Sequence, residues 1–258
     1  MLKCSNISAG YGKELIVKNL SVEINRGETT TIIGPNGSGK STLLRVITGN
    51  IKSKNGTVHI NDRELKNIKA KELARMITFM PQVSKTVPGF TVKDIVEYGR
   101  FPHLKFSGKL KAHDHEIVNW AIESVKLTKY KDRPVNNLSG GEFQRARLAM
   151  AIAQESDIIM LDEPTTFLDI NHQLQVLELV QNLKEKMNKT IIMVLHDINQ
   201  AARYSDRIVV LKEGAMIHEG SPEDVVTEEI LEDVFRIHAR ILKDKDHGKY
   251  FLPDRVCD

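Results

Sequence analysis

Thr29-Thr30-Thr31-Ile32-Ile33-Gly34-Pro35-Asn36-Gly37-Ser38-Gly39-Lys40-Ser41-Thr42 is the stretch on which the fold turns. Its first five residues are all β-branched, the composition of a strand buried on both faces. Residues 34–41 then match the pattern G-x-x-x-x-G-K-[ST] at every fixed position. A helix signal follows at once. Leu43, Leu44 and Ile47 share one helical face within 41–48, and Gly49 closes it. Strand, glycine-rich turn and helix in this order form a phosphate cradle. The glycines let successive N–H groups turn inward, and the helix start adds positive potential at the same point. Lys40 is expected to reach the β- and γ-phosphates of a nucleotide. The Ser41 hydroxyl is expected to hold Mg²⁺, and Gly34, Pro35, Asn36, Gly37, Ser38, Gly39 and Thr42 complete the cradle.

A second constellation lies downstream. Residues 158–161 are an apolar strand that ends in two carboxylates, Asp162 and Glu163. Alone, this could be an acidic surface turn. Beside a phosphate cradle it reads as chemistry. Asp162 would hold Mg²⁺, directly or through water. Glu163 would face the water that attacks the γ-phosphoryl group, a reaction that needs positioning and charge stabilisation more than covalent help. His196 directly follows the apolar run 191–195. It is either a structural group at a strand end or a donor to the γ-phosphate. Gln82, after Met80-Pro81, is by itself a loop residue whose uncharged amide could contact both Mg²⁺ and water.

Between these points the pattern alternates. Strands are expected at 7–11, 15–24, 29–33, 57–60, 76–80, 158–161, 190–195 and 208–211, with a turn at Gly12-Lys13 and another at Glu213-Gly214. Residues 63–75 read as a short helix or loop, 92–129 as mostly helical, and 142–153 as a helix opened by Gly140-Gly141. Leu174, Leu177 and Val180 mark the apolar face of another helix. Gly108, with Lys105, Lys109 and Lys111, suggests a solvated break in the helical stretch. Residues 231–242 read as one last helix, and 243–248 as a charged, flexible end. Strands alternating with helices favour an α/β core with a largely parallel sheet.

Bulk properties exclude several classes. The chain has 258 residues, is 41% hydrophobic and 28% charged, which suits a folded protein and argues against disorder. A formal charge of +3 predicts no strong attraction to nucleic acid. Two cysteines, Cys4 and Cys257, make no disulfide framework and favour a reducing compartment. The first residues lack the apolar run of a signal peptide, and no apolar stretch approaches the roughly 20 residues of a membrane span.

Leu138-Ser139-Gly140-Gly141-Glu142 lies before the strand carrying Asp162, and with the cradle and the Leu161-Asp162-Glu163-Pro164 strand end it resembles the signature motif of the ABC transporter ATPases. The resemblance runs over about residues 2–226. It implies an α/β P-loop NTPase core of ABC type, with an N-terminal antiparallel β subdomain and an inserted helical subdomain. Residues 1–86 and 141–226 would form the nucleotide-binding core, 87–140 the helical subdomain, and 227–258 a C-terminal helix and tail. It also implies roles. Tyr11 would stack on adenine, Gln82 would link the site to the membrane partner, Asp169 in Leu168-Asp169 would reach the opposing subunit, and His196 would be the switch histidine. Two such chains would pair head to tail, so that Ser139, Gly140, Gly141 and Glu142 serve the nucleotide held by the partner copy's Lys40. The cofactors implied are ATP and Mg²⁺. Phe143 departs from the family, which more often has a basic or polar residue there.

A narrower resemblance concerns cargo. Residues 91–96, then Gly99-Arg100-Phe101-Pro102-His103, together with 164–173, look like the importer ATPases for iron-siderophores, haem and vitamin B12. The segment around Arg100 has a plainer alternative, which is packing within the helical lobe. His103, His113 and His115 make no convincing zinc arrangement. The implied partners are a second copy, integral membrane permease subunits and, indirectly, an extracytoplasmic binding protein, with no nucleic acid. The implied place is the cytoplasmic face of the cell membrane, attached peripherally. Residues just after Gln82, through about His103, would meet the permease, with Val87, Phe90 and Phe101 as candidates for its apolar wall or, equally, ordinary core residues. Iron-siderophore import is the leading function. Haem or cobalamin import, export, and a non-transport assembly ATPase are the alternatives.

Overall fold

The computed structural model describes residues 1–82, 89–104, 108–166, 168–245 and 248–257. Val87 and Lys105, singled out above, and residue Phe167 within 164–173 lie outside the described residues. The chain divides into two compact units, Met1–Ile68 with Thr190–Asp258, and Lys69–Lys189.

The first unit begins with β1 (Leu2–Ala9), β2 (Val17–Ile24), β3 (Thr29–Ile33), α1 (Lys40–Ile47), β4 (Asn55–Ile60) and β5 (Arg63–Glu64). β2, β1, β4 and β5 form an antiparallel sheet in that order. Leu2, Cys4, Ile7 and Ala9 of β1 point into its core, following the two-residue period of a half-buried strand broken by register shifts. Burial pushes the Cys4 thiol up to about 12, so it stays protonated and inert. Tyr11 falls beyond β1, in the connection to β2, and not at the end of a strand 7–11.

The second unit contains α2 (Ala70–Met76), β6 (Ile77–Met80), α3 (Val92–Tyr98), α4 (Ala112–Ser124), α5 (Gly140–Ala153), β7 (Ile158–Asp162) and α6 (Ile170–Met187). β6 and β7 pair in parallel. Capping boxes start α3 (Thr91 with Asp94) and α5 (Ser139 with Glu142), each satisfying two backbone N–H groups. Gly99 follows α3 because nothing larger fits. A Cβ there would lie 2.3 Å from the carbonyl oxygen of Met150 on α5.

The first unit resumes with β8 (Thr190–Val194), α7 (Ile198–Tyr204), β9 (Arg207–Lys212), β10 (Ala215–Gly220), α8 (Pro222–Val225), α9 (Glu228–Phe235), β11 (Ile237–Asp244) and β12 (Gly248–Val256). β3 runs parallel to β8 on one side and β9 on the other, with β10 antiparallel to β9. All five residues of β3 and of β8 are buried, as the β-branched runs require. The start of β3 is pinned by the Asp206 carboxylate, which accepts from the Thr29 N–H at 2.8 Å.

The end of the chain corrects the expectation of one helix over 231–242 and a flexible tail. Arg236 takes a left-handed φ of 56° and ends α9 one residue after Phe235. β11 then pairs with β12, setting Ile241 opposite Phe251 and Leu242 opposite Tyr250. Of the charged stretch, Lys243 and Asp244 end β11 and Gly248 begins β12. Cross-strand pairs distant in sequence outweigh local helix propensity here. No helix among the described residues is long and apolar enough to cross a membrane.

Candidate active site

In the first unit, the loop from β3 to α1 is shaped by three left-handed glycines: Gly34 (φ 148°), Gly37 (φ 79°) and Gly39 (φ 100°). Gly34 admits no side chain, since a Cβ would stand 2.1 Å from the Leu211 carbonyl oxygen. The Ser38 N–H donates to Pro35 O at 3.2 Å and its carbonyl accepts from the Gly214 N–H at 3.2 Å. The turn is thus tied to the β9–β10 connection. Gly39 provides no side-chain cap, and no acid occupies the first turn of α1. The start of such a helix carries partial positive charge, which favours an anion. Lys40 is 6% exposed and folds back, donating Nζ to Gly34 O at 2.8 Å and Pro35 O at 2.9 Å. Its ammonium therefore sits at the mouth of the loop it belongs to. Thr42 is buried and Ser41 half-buried on the same helix start. Tyr11 is half exposed, with its hydroxyl accepting from Arg45 Nη1 at 2.8 Å. His196 is exposed just past the end of β8.

In the second unit, β7 delivers Asp162, buried, as its last residue. Glu163 follows in a left-handed conformation, φ 54°, uncommon for a residue with a side chain. Its carboxylate Oε2 accepts from Gln82 Nε2 at 2.5 Å and from Thr166 Oγ1 at 3.0 Å. Two residues named separately from the sequence, Gln82 and Glu163, are thus brought into contact. Asp162, Ser41 and Gln82 all provide oxygen donors, the chemistry a hard cation such as Mg²⁺ takes.

At the start of α5, Ser139 Oγ accepts from the Glu142 N–H at 3.3 Å, and Glu142 accepts from the Ser139 N–H at 2.8 Å. That backbone donor holds the Glu142 carboxyl below the usual carboxylate range. Gly140 faces open space, whereas a Cβ on Gly141 would meet the His172 ring at 3.3 Å. His172 is fixed by Asp169, whose Oδ1 accepts its N–H at 2.9 Å and its Nδ1 at 2.8 Å. The His172 donors lower the Asp169 carboxyl in turn. Gly141 and Asp169, separate in the sequence reading, meet through one imidazole.

Comparison with known proteins decides the family. A family model described as "ABC transporter" matches residues 17–166. The chain belongs to the ABC transporter family. Among its relatives are the iron(3+)-hydroxamate import ATP-binding protein FhuC of Bacillus subtilis (strain 168), 42% identical over 96% of this chain and 92% of that one. The petrobactin import ATP-binding protein FpuC of Bacillus anthracis is 42% identical over 99% and 94%. The ferric enterobactin transport ATP-binding protein FepC of Escherichia coli (strain K12) is 40% identical over 96% and 91%. Among solved structures, a chain of an inward-facing ABC transporter assigned to the metal-chelate type matches with a TM-score of 0.85, 28% identity and coverage of 98% and 96%. The dimeric ATP-binding cassette MJ0796, bound to ADP and Pi, matches with a TM-score of 0.76, 31% identity and coverage of 86% and 99%. The fold is accordingly the ABC-type P-loop ATPase, with its antiparallel β subdomain and helical insert.

Within this ABC ATPase, the Gly99-to-His103 segment has a visible packing role. Arg100 is 3% exposed and donates to Asp114 Oδ1 at 3.0 Å, Ala153 O at 2.7 Å and Glu155 Oε2 at 2.8 Å. His103 Nε2 meets Gln154 O at 2.8 Å. The segment laces α3 and α4 to the end of α5. Replacing Arg100 by Met is expected to destabilise the protein by about 2 kcal/mol, because it strips the half-buried Asp114 carboxylate and the buried Ala153 carbonyl of their donor. Urea denaturation followed by circular dichroism measures it. Nearby, Phe101 stacks on Tyr98 at 5.1 Å and both rings are exposed.

Neither Arg147 nor His172 has a task assigned by the sequence alone. The Ser-x-x-Glu spacing of 139–142 signals a capping box and could have placed the start of α5 two residues earlier.

Proposed function

We propose that this chain is the ATP-hydrolysing subunit of an importer for ferric siderophores. The observation that carries the reading is full-length similarity at about 40% identity to several proteins named for importing iron(3+)-hydroxamates, petrobactin and ferric enterobactin. The local Arg100 segment contributes less, since it packs the helical unit.

In this reading, the N–H groups of residues 34–42 and the Lys40 ammonium cradle the triphosphate, and Tyr11 stacks on the base. Ser41, Asp162 and Gln82 would hold Mg²⁺, which would supply charge neutralisation to the triphosphate. Glu163 orients the attacking water and takes its proton, and His196 donates to the γ-phosphate. Residues 1–86 and 141–226 act as the nucleotide-binding core and 87–140 as the helical arm toward the permease. Two copies close head to tail, as the similarity to dimeric cassettes supports, so that Ser139, Gly140 and Gly141 at the start of α5 meet the partner copy's γ-phosphate, with Glu142 holding that helix start and Asp169 crossing to the other copy. Only ATP has the phosphate that bridges both halves, so binding closes the dimer and hydrolysis releases it. The chain works at the cytoplasmic face, attached to membrane subunits, while an external binding protein selects cargo.

Cells lacking this protein should lose ferric-siderophore uptake and keep haem and cobalamin uptake. The intact protein should restore it and the Glu163→Gln variant should not. Normal siderophore uptake together with lost haem or cobalamin uptake would replace the cargo in this reading.

A further inference from the structure

Glu163 is one member of a closed ring of hydrogen bonds inside the second unit. Gln82 Nε2 donates to Glu163 Oε2 at 2.5 Å. The backbone of Gln82 is held in turn by Arg147, whose Nη1 donates to Gln82 O at 3.3 Å and whose Nη2 donates to Pro81 O. Arg147 Nη1 also donates to Gln144 Oε1 at 2.8 Å, and Gln144 Nε2 donates to Pro164 O at 2.8 Å. Pro164 is bonded covalently to Glu163, so the path returns to its start. Both Gln144 and Arg147 lie on α5, one turn apart, on the helix whose first residues are the signature motif.

The chemistry of Arg147 is unusual for a structural cation. It is 5% exposed, yet its partners are two backbone carbonyls and an amide oxygen, with no carboxylate among them. Burying a guanidinium without an anion is costly, and an apolar side chain of similar length usually stabilises a core better. What the planar fork offers instead is geometry. Its rigid donors fix two successive carbonyls at once, which a flexible ammonium cannot do. Those carbonyls belong to the residue that contacts Glu163 and the one before it.

We infer that Arg147, with Gln144, is a positioning residue for hydrolysis: it sets the backbone of Pro81-Gln82 and the turn after Glu163, and so aligns the Gln82 amide and the Glu163 carboxylate with each other. The inference rests on the ATPase reading above. It gives α5 a second task. The helix that begins with the signature motif also holds, two turns further on, the groups assigned to water and metal in its own subunit. A shift of α5 would move both together.

The test uses the purified full-length chain with Mg-ATP. Arg147→Met should lower kcat about 10- to 100-fold with KM for ATP unchanged, because the phosphate cradle belongs to other residues. Arg147→Lys should recover only part of the rate, as it keeps the charge and loses the fork. In a Gln82→Ala background, Arg147→Met should cost less than about twofold more, since its route runs through Gln82. Independent, multiplying losses would overturn the assignment, as would a wild-type kcat for Arg147→Met or a loss of ATP affinity parallel to the loss of rate. If Arg147→Met does not fold, Arg147→Lys answers the same questions: its rate falls at constant KM and the fall vanishes over Gln82→Ala, or the inference fails. A wild-type chain that binds ATP without hydrolysing it would instead strike the ATPase reading itself.

Discussion

Glu163→Gln should nearly abolish ATP turnover, by about 100- to 10,000-fold, while ATP still binds. The substitution is isosteric. Its amide oxygen can accept from Gln82 and Thr166 where the carboxylate does now, so the local fold survives. What would disappear is the negative charge to which the proposed mechanism assigns orienting the water and taking its proton. The triphosphate cradle is untouched, so ATP should accumulate in its bound form and hold two copies together. Single-turnover hydrolysis with radiolabelled ATP, beside size-exclusion chromatography with and without ATP, measures both effects. An E163Q protein that hydrolyses ATP at the wild-type rate and stays monomeric would remove Glu163 from the mechanism.

Lys40→Ala should lose nucleotide binding itself. Charge-assisted hydrogen bonds contribute roughly 1.5–3 kcal/mol each. Two to phosphate oxygens correspond to a fall in ATP affinity of about 100-fold or more. The loop should nevertheless keep its shape. The exclusion of any side chain at Gly34, the Ser38–Pro35 turn and the Gly214 bond to Ser38 are all independent of the lysine. Thermal unfolding should therefore change little while titration with a fluorescent ATP analogue shows the loss. Unchanged affinity in K40A would reject the proposed cradle.

How legible the fold was depends on where its causes lie along the chain. β3, its glycine loop and α1 are contiguous, and each announces itself by local chemistry: β-branched residues, left-handed glycines, then an apolar helical face. β7 with Asp162-Glu163 is equally local. The C-terminal hairpin is different. Residues 237–242 look helical in isolation, and only their pairing with 250–256 makes them a strand. The site divides in the same way. Lys40, Asp162 and Glu163 were readable because their motifs are short and ordered. The contact of Gln82 with Glu163 spans 81 residues, and the grip of Arg147 on Pro81 and Gln82 spans 66 and 65. No window of sequence displays such pairs. The segment around Arg100 was read for cargo, yet its side chains lace helices together; the cargo reading rests on similarity along the whole chain.

The two compact units also differ in how a ribosome would deliver them. The unit Lys69–Lys189 is one uninterrupted piece, whereas the other is completed only by residues from Thr190 onward. β3 waits longest, because both of its parallel neighbours, β8 and β9, are synthesised after that piece. At about 5–20 residues per second, the roughly 156 residues between Ile33 and Thr190 take about 8–31 s to appear. During that interval the antiparallel sheet of β1, β2, β4 and β5 can pair, and the helical piece can mature, while the nascent strand bearing the glycine loop stays without either edge partner. An emerging Thr29–Ile33 segment is β-branched at every position and β-prone. It is thus the stretch where cotranslational chaperone protection should matter most, and where pausing at codons before β8 would prolong the exposure.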